Sequence, residues 1–162
     1  MKLRQLELKD APAMLEWMHD ESVVKNLSAN FAEKKLEDCE AFIKASKNDK
    51  ENLNLAIVDE NDEYMGTVSL KHIDKQNGTA EFAITVHSKA MGKGYSKYGM
   101  KTILEMGLEE IGLKNIYWCV STENARAIRF YDKNGYKRVT QVPKKISEPY
   151  VNHKSLIWYV YN

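Results

Sequence analysis

The stretch VHSKAMGKGYSKYGM, residues 86–100, contains the pattern that decides the fold. A probable strand ends near Val86, and Gly92 and Gly94 then precede a long amphipathic helix. Glycine lets the backbone approach an anion closely, and the free N–H groups of a first helical turn point at that anion. This order predicts a pyrophosphate cradle, although Gly-x-Gly before a helix also occurs as an ordinary loop and cap.

A second pattern follows further along the chain. Asn124, Ala127, Tyr131 and Gly135-Tyr136 have the spacing of a helix that begins after Asn and ends at Gly. The two patterns together favour a functional site over an ordinary loop.

Taken jointly, these residues resemble the GCN5-related N-acetyltransferase family, in particular its small bacterial amine acetyltransferases. The family's pyrophosphate loop reads Gln/Arg-x-x-Gly-x-Gly/Ala, and residues 91–96 take its place with Gly92 and Gly94 intact. Met91 stands where Gln or Arg is usual, and Ser96 replaces Gly or Ala. The Asn-x-x-Ala-x-x-x-Tyr segment is the more specific match.

The resemblance implies direct transfer of an acetyl group from acetyl-CoA to a primary amine, with no metal. The acceptor is expected to be an amino sugar, a polyamine, another small amine or a protein N-terminus. A non-catalytic acyl-CoA-binding or regulatory module is the alternative that the departure at Met91 raises. Dinucleotide binding is disfavoured, because no complete Gly-x-Gly-x-x-Gly opens a parallel sheet.

Contacts to the cofactor are carried over from the family. The backbone of Thr85 and Val86 is expected to bind the pantetheine arm, and the side chain of Asn124 either holds the cofactor, caps a helix or does both. Lys93 adds positive charge near a pyrophosphate or is a solvated loop lysine. The full predicted set is Thr85, Val86, Met91, Gly92, Lys93, Gly94, Tyr95, Ser96, Asn124 and Tyr131.

Two residues are candidates for proton transfer. Strand alternation places Glu81 on the face opposite to Phe82, where it could accept the proton of the incoming amine or could be a solvated glutamate. Tyr131 could protonate the leaving thiolate, because a phenol of pKa near ~10 is protonated at neutral pH. Its alternative is a core aromatic.

The acceptor site is expected after the first helix, where the family builds one wall of it. Trp17, His19 and Asp20 are the candidates, because acids suit a cationic amine and an indole suits an aliphatic or sugar face. Each of them could equally be an ordinary surface or core residue.

Composition narrows the classes of partner. The chain has 24 basic and 23 acidic residues, which gives no electrostatic case for nucleic acid or an anionic membrane. No apolar run approaches the ~20 residues needed to span a bilayer, so a cytoplasmic protein is predicted. The four histidines are scattered, and Cys39 and Cys119 form no metal-binding motif, so no metal and two buried thiols are expected. A homodimer remains open.

The periodicity predicts an α/β fold of one domain over residues 1–162, a mixed, mostly antiparallel sheet with helices on both faces. Strands are expected over 2–8, 53–59, 64–73, 79–87, 116–120, 136–142 and 155–161, helices after Pro12, from Leu36, after Gly94 and over 125–134, and a loop over 19–31. The strand, helix, strand order between Val86 and Ile116 is a crossover. These two strands should therefore be parallel neighbours with a ligand opening at their carboxyl ends, and the resemblance adds that they splay apart.

Overall fold

The computed structural model describes residues 1–27 and 29–162, and its strands form one seven-stranded sheet. The strands are β1 (Lys2–Gln5), β2 (Leu53–Val58), β3 (Tyr64–Asp74), β4 (Thr79–Val86), β5 (Asn115–Ser121), β6 (Lys137–Val139) and β7 (Leu156–Tyr161). Their spatial order is β1-β2-β3-β4-β5-β7-β6. The β4–β5 pair is parallel and the other neighbouring pairs are antiparallel, so the predicted mixed sheet and the parallel crossover are confirmed.

Helices cover both faces of the sheet, as predicted. They are α1 (Ala11–Met18), α2 (Glu21–Val24), α3 (Leu36–Ser46), α4 (Tyr95–Met106), α5 (Ala125–Lys133) and α6 (Lys144–Ser147). On one face, α1 and α3 bury a cluster that includes Ala56 and Val58. On the other face, α4 buries Met100, Ile103 and Leu104 in the larger core.

Several predicted boundaries are wrong. The expected loop over 19–31 contains α2, whose N-cap is Asp20, and Ser28 of that loop lies outside the described residues. The first strand ends at Gln5, and β6 ends at Val139 because its ladder with β7 covers three residue pairs. Cys39 is buried as expected, but Cys119 is only partly buried.

The sheet opens between β4 and β5. The two strands pair only through Thr79, Ala80 and Glu81 of β4, although β4 continues to Val86 and β5 continues to Ser121. Beyond this seam the strands separate, which agrees with the splaying expected from the family. The separation leaves a slot at their carboxyl ends, where ligands of parallel strands generally bind.

Two glycines set the distance between α4 and the sheet. A Cβ added at Gly99 would lie 2.6 Å from the Ile57 Cδ1 atom, and one added at Gly107 would lie 2.6 Å from Ile116 Cδ1. The helix therefore lies directly on the strands. This close contact fixes the N-terminus of α4 beside the slot.

Gly99→Val should lower the free energy of unfolding by about 2 kcal/mol, because overpacking a core costs about 1–3 kcal/mol and the gain in helix propensity offsets only part of it. Lys101→Val is the matched control, since Lys101 is exposed on the same helix and should change stability by less than about 0.7 kcal/mol. Denaturant unfolding measures both. Equal stability of the two variants would contradict the close contact between α4 and the sheet.

Candidate active site

The loop before α4 has the backbone conformation that an anion cradle requires. Gly92 and Gly94 have φ values of 75° and 89°, in the left-handed region that favours glycine. A Cβ at Gly92 would meet no atom within 4 Å, and one at Gly94 would meet only the Met1 methyl carbon, at 3.7 Å. The surface of the loop is therefore open, and a side chain at either glycine would occupy the space that a ligand needs.

The start of α4 presents a group of free backbone donors. The first bond of the helix runs from the Tyr98 N–H to the Gly94 carbonyl, at 3.1 Å. In the part of the chain that the structure describes, acceptors are lacking for the N–H groups of Gly92, Gly94, Tyr95, Ser96 and Lys97. These donors lie at the positive end of the helix dipole and fit a pyrophosphate.

Other predicted contacts around this loop differ in what they offer. The Lys93 N–H donates to the Ala90 carbonyl at 3.4 Å, so Lys93 contributes through its exposed ammonium group. Met91 packs partly against the core beneath α1. Its side chain has no polar group to stand in for the Gln or Arg that is usual in the family. The side-chain oxygen Oδ1 of Asn124 accepts from the Ala127 N–H at 3.2 Å, so Asn124 is a helix cap. Its side-chain NH₂ group is left to act as a donor.

The backbone N–H and C=O groups of β4 point alternately at β3 and into the slot, and this order differs from the one predicted for Thr85. The His87 N–H donates to the Met65 carbonyl at 2.9 Å, and in an antiparallel ladder this makes every second residue face β3. The backbone groups of Thr85 therefore point at Thr67. Those of Val86 and Ile84 point into the slot. Ile84 thus takes the place expected for Thr85, and only the register of the hairpin reveals it.

Glu81 lies at the last residue pair before the strands separate. Its side chain is on the face opposite to Phe82, as alternation predicted, but it is only 3% exposed. The Tyr150 hydroxyl donates a hydrogen bond to Glu81 Oε2. Glu81 is therefore a buried, partnered carboxylate, and the alternative of a solvated glutamate is wrong. No sequence signal identified Tyr150.

Tyr131 lies on the other face of the sheet, within an aromatic cluster. Its ring centroid is 5.0 Å from that of Tyr159 and 5.6 Å from that of Trp118, the first residue of β5 beyond the seam. Burial raises the pKa of Tyr131, so the phenol holds its proton at neutral pH. Within the described residues its hydroxyl has no hydrogen-bond partner. Tyr131 can therefore be both a packing residue and a proton donor.

The predicted acceptor residues differ in burial and in their hydrogen-bond partners. Trp17 is 5% exposed and its indole N–H donates to the Tyr64 hydroxyl at 3.0 Å, which matches the packing alternative. His19 is exposed and contacts the Lys34 carbonyl at 2.8 Å. Asp20 caps α2, and hydrogen bonds from Ser22 and Ser88 lower its pKa.

His87 is a residue of this region that the sequence did not single out. It follows β4 directly and is 8% exposed. Its Nδ1 atom accepts from the Lys89 N–H at 3.1 Å, and its Nε2 atom lies 3.3 Å from Glu16 Oε2. This contact fixes the end of β4 against α1 and brings the Glu16 carboxylate to the mouth of the slot.

The described residues contain neither a cluster of metal ligands nor a membrane-spanning helix. Residues 1–27 and 29–162 contain no group of three or more His, Cys, Asp or Glu side chains placed to hold a metal ion. Over the same residues, no helix combines the length and the apolar character needed to cross a bilayer.

Comparison with known proteins gives relatives of one kind. The chain is 26% identical to an uncharacterized N-acetyltransferase, p20, of Bacillus licheniformis, over 85% of this chain and 79% of the relative. It is 24% identical to the spermidine N(1)-acetyltransferase of Vibrio cholerae, over 84% and 78%. The crystal structure of spermidine N-acetyltransferase from Vibrio cholerae in complex with CoA and spermine superposes with a TM-score of 0.82 at 18% identity, covering 99% of this chain and 94% of that one.

A family model places the chain more firmly than any single relative. Residues 1–137 match the model of the acetyltransferase (GNAT) domain, so the match includes the cradle, the slot and both proton-transfer candidates. The resemblance drawn from residues 91–96 and from the Asn124–Tyr131 segment is thereby confirmed. The chain belongs to the GNAT acetyltransferase family and is an N-acetyltransferase that transfers an acetyl group from acetyl-CoA to an amine.

Proposed function

We propose that the amine acceptor is a small aliphatic polyamine and that Glu81 and Tyr131 move the protons of the transfer. The observation that carries this proposal is the position of Glu81, a buried carboxylate at the point where β4 and β5 separate. The spermidine acetyltransferases among the relatives support the acceptor class.

Acetyl-CoA, when bound, supplies the activated acetyl thioester. The N–H groups at Gly92 and at Gly94–Lys97 hold its pyrophosphate, and the ammonium group of Lys93 adds positive charge beside them. The slot-facing amide groups of Ile84 and Val86 bind the pantetheine arm, because amide groups left unpaired at a strand edge favour a hydrogen-bonding partner. The Asn124 NH₂ group is an additional donor at the start of α5.

Glu81 and Tyr131 divide the proton transfers between the two faces of the sheet. An amine must lose a proton to become a nucleophile, and Glu81 accepts it on the face covered by α1 and α3. The departing thiolate needs a proton, and Tyr131 donates it from the opposite face. The slot joins the two faces, so each group acts on its own side of the reacting carbonyl.

A polyamine fits the charges at the mouth of the slot. Glu16 lies against His87 at the end of β4, and Ser22 and then Ser88, the residue after His87, lower the pKa of Asp20. Because its hydrogen bonds lower the pKa of Asp20, its carboxylate stays charged over the neutral range. Two carboxylates near the slot attract the distal ammonium groups of a polycation. Trp17 supports this wall from the core, and His19 flanks it on the surface.

The protein should acetylate spermidine with a higher kcat/KM than glucosamine or a peptide with a free N-terminus, as measured by mass spectrometry of the products. Glu81→Gln should lower kcat/KM for spermidine at neutral pH by about 10²-fold or more, because the amide cannot accept the proton. The glutamine side chain keeps the volume of the glutamate and can still accept the Tyr150 hydrogen bond. A kcat/KM for spermidine that is no higher than the values for glucosamine and the peptide would overturn the polyamine proposal.

Gly94→Val should weaken the binding of coenzyme A by about tenfold or more, because the side chain blocks hydrogen bonds to a charged ligand. Gly112→Val is the matched control, since Gly112 has a φ of 85°, similar space around it and a position after the helical turn Gly107–Ile111 that follows α4, far from the loop. The two variants should lose similar stability, and only Gly94→Val should lose affinity. Calorimetric titration with equal affinities would contradict the cradle.

Tyr131→Phe should lower kcat by about 10²-fold, the low end for general acid catalysis, with little change in the dissociation constant of acetyl-CoA. Because burial raises the pKa of Tyr131, the wild-type rate should not fall through loss of this proton at neutral or mildly alkaline pH. Tyr136→Phe removes a hydroxyl from the same cluster, 6.3 Å away between ring centroids, and should keep kcat. Equal kcat for both variants would make Tyr131 a packing residue.

A cytoplasmic location and a homodimer remain predictions of the sequence alone.

A further inference from the structure

The Glu81 carboxylate is held by a residue far away in the chain. Tyr150 is the last residue of the short 3₁₀ helix Glu148–Tyr150, and its hydroxyl donates to Glu81 Oε2. Glu81 Oε1 accepts no hydrogen bond from the described residues. One carboxylate oxygen is thus fixed by the phenol, and the other is left to accept from an amine or from a water molecule.

Charged and titratable groups of β3 and β5 also face Glu81. On β3, the Lys71 Nζ atom is 4.0 Å from Oε2 and the His72 Nε2 atom is 3.9 Å from Oε1. Neighbouring residues of a strand normally point to opposite faces. His72 has a φ of 53° at a break in the β3–β4 register, and this bulge directs both side chains toward the carboxylate. On β5, burial and then Glu81 raise the pKa of the Cys119 thiol to about 12.

Tyr150 differs from these neighbours in making a hydrogen bond. Lys71 and His72 lie beyond hydrogen-bond distance, and Cys119 stays a neutral thiol. Burial and then the Glu81 carboxylate raise the pKa of Tyr150, so the phenol remains a donor throughout the neutral and mildly alkaline range. A donated hydrogen bond fixes the orientation of the carboxylate oxygen that accepts it.

The segment that carries Tyr150 is anchored to the sheet. Ile146 of α6 is 1% exposed and packs against Tyr117 and Val160. The Tyr150 ring lies edge-on to Trp158, with 5.5 Å between centroids. These contacts fix the phenol over β5 and β7, so its hydroxyl reaches Glu81 from a rigid support.

We propose that Tyr150 is a positioning residue for the acceptor side of the reaction, which orients the Glu81 carboxylate. This inference rests on the proposed role of Glu81 as the proton acceptor. The bulged segment of β3 supplies Lys71 and His72 as longer-range charges, and the phenol supplies the directional contact. The C-terminal segment therefore contributes to the proposed chemistry of β4, through a residue that lies 69 positions after Glu81 in the chain.

Tyr150→Phe in the full-length protein tests this proposal, because the change deletes the hydroxyl and keeps the ring. With acetyl-CoA and spermidine as substrates, kcat/KM should fall by about tenfold, because the carboxylate loses the hydrogen bond that orients it. The dissociation constant of acetyl-CoA should stay unchanged.

Tyr117→Phe is the matched control. Tyr117 is paired with Glu81 across the seam and is buried, but it makes no hydrogen bond to Glu81. Its Phe variant should keep the wild-type kcat/KM. Thermal melting of both variants shows whether either one has lost its fold.

A second measurement needs no acceptor. In ¹³C NMR of the carboxyl groups, the signal of Glu81 is identified by its absence in Glu81→Gln. In Tyr150→Phe the chemical shift of this signal should change, and in Tyr117→Phe it should not move. An unchanged signal, or a changed signal with an unchanged kcat/KM, would overturn the positioning role. Lack of wild-type activity with spermidine would instead refute the polyamine proposal, before any variant is compared.

Discussion

The short seam between β4 and β5 is the constraint on which the rest of the structure depends. Each of these strands is paired on its other edge up to its carboxyl end, β4 with β3 up to Val86 and β5 with β7 up to Ser121. They share only three residue pairs with each other, which end at Glu81 and Tyr117. The two halves of the sheet therefore diverge, and the slot-facing amide groups of β4 are left without a strand partner. Amide groups left in this state favour a hydrogen-bonding ligand, so the seam creates a binding slot without a loop or a lid.

The slot also allows the proposed proton transfers to be divided between the two faces of the sheet. Glu81 lies on the face covered by α1, α3 and the C-terminal segment, and Tyr131 lies on the face covered by α4 and α5. A closed sheet would separate a proton acceptor and a proton donor in these positions completely. Because the strands part directly after Glu81 and before Trp118, groups on both faces can reach one reacting centre. The close seat of α4 on the sheet, at Gly99, keeps its free N–H groups beside the same opening.

Burial of Glu81 determines much of its surroundings. A carboxylate that is 3% exposed is costly unless it is paired or hydrogen-bonded. Tyr150 provides the hydrogen bond, and the β3 bulge at His72 brings two further groups within about 4 Å. The bulge and the C-terminal segment therefore have a common effect, which is to make a buried carboxylate tolerable at the point where we propose that the acceptor amine loses its proton.

The sequence by itself determined the class of fold and the crossover, because these follow from short-range patterns such as alternation and the strand, helix, strand order. It also supplied the cradle, Glu81 and Tyr131 as candidates, from Gly-x-Gly before a helix, strand alternation and an Asn-capped helix. The tertiary structure decided that Ile84 faces the slot where Thr85 was expected, since the hydrogen-bonding parity of β4 depends on its register with β3. It also decided that Tyr150 contacts Glu81. That contact joins residues 69 positions apart, and no local pattern encodes it. Periodicity specifies which face a side chain takes, but the partner it meets there is set only when distant segments pack.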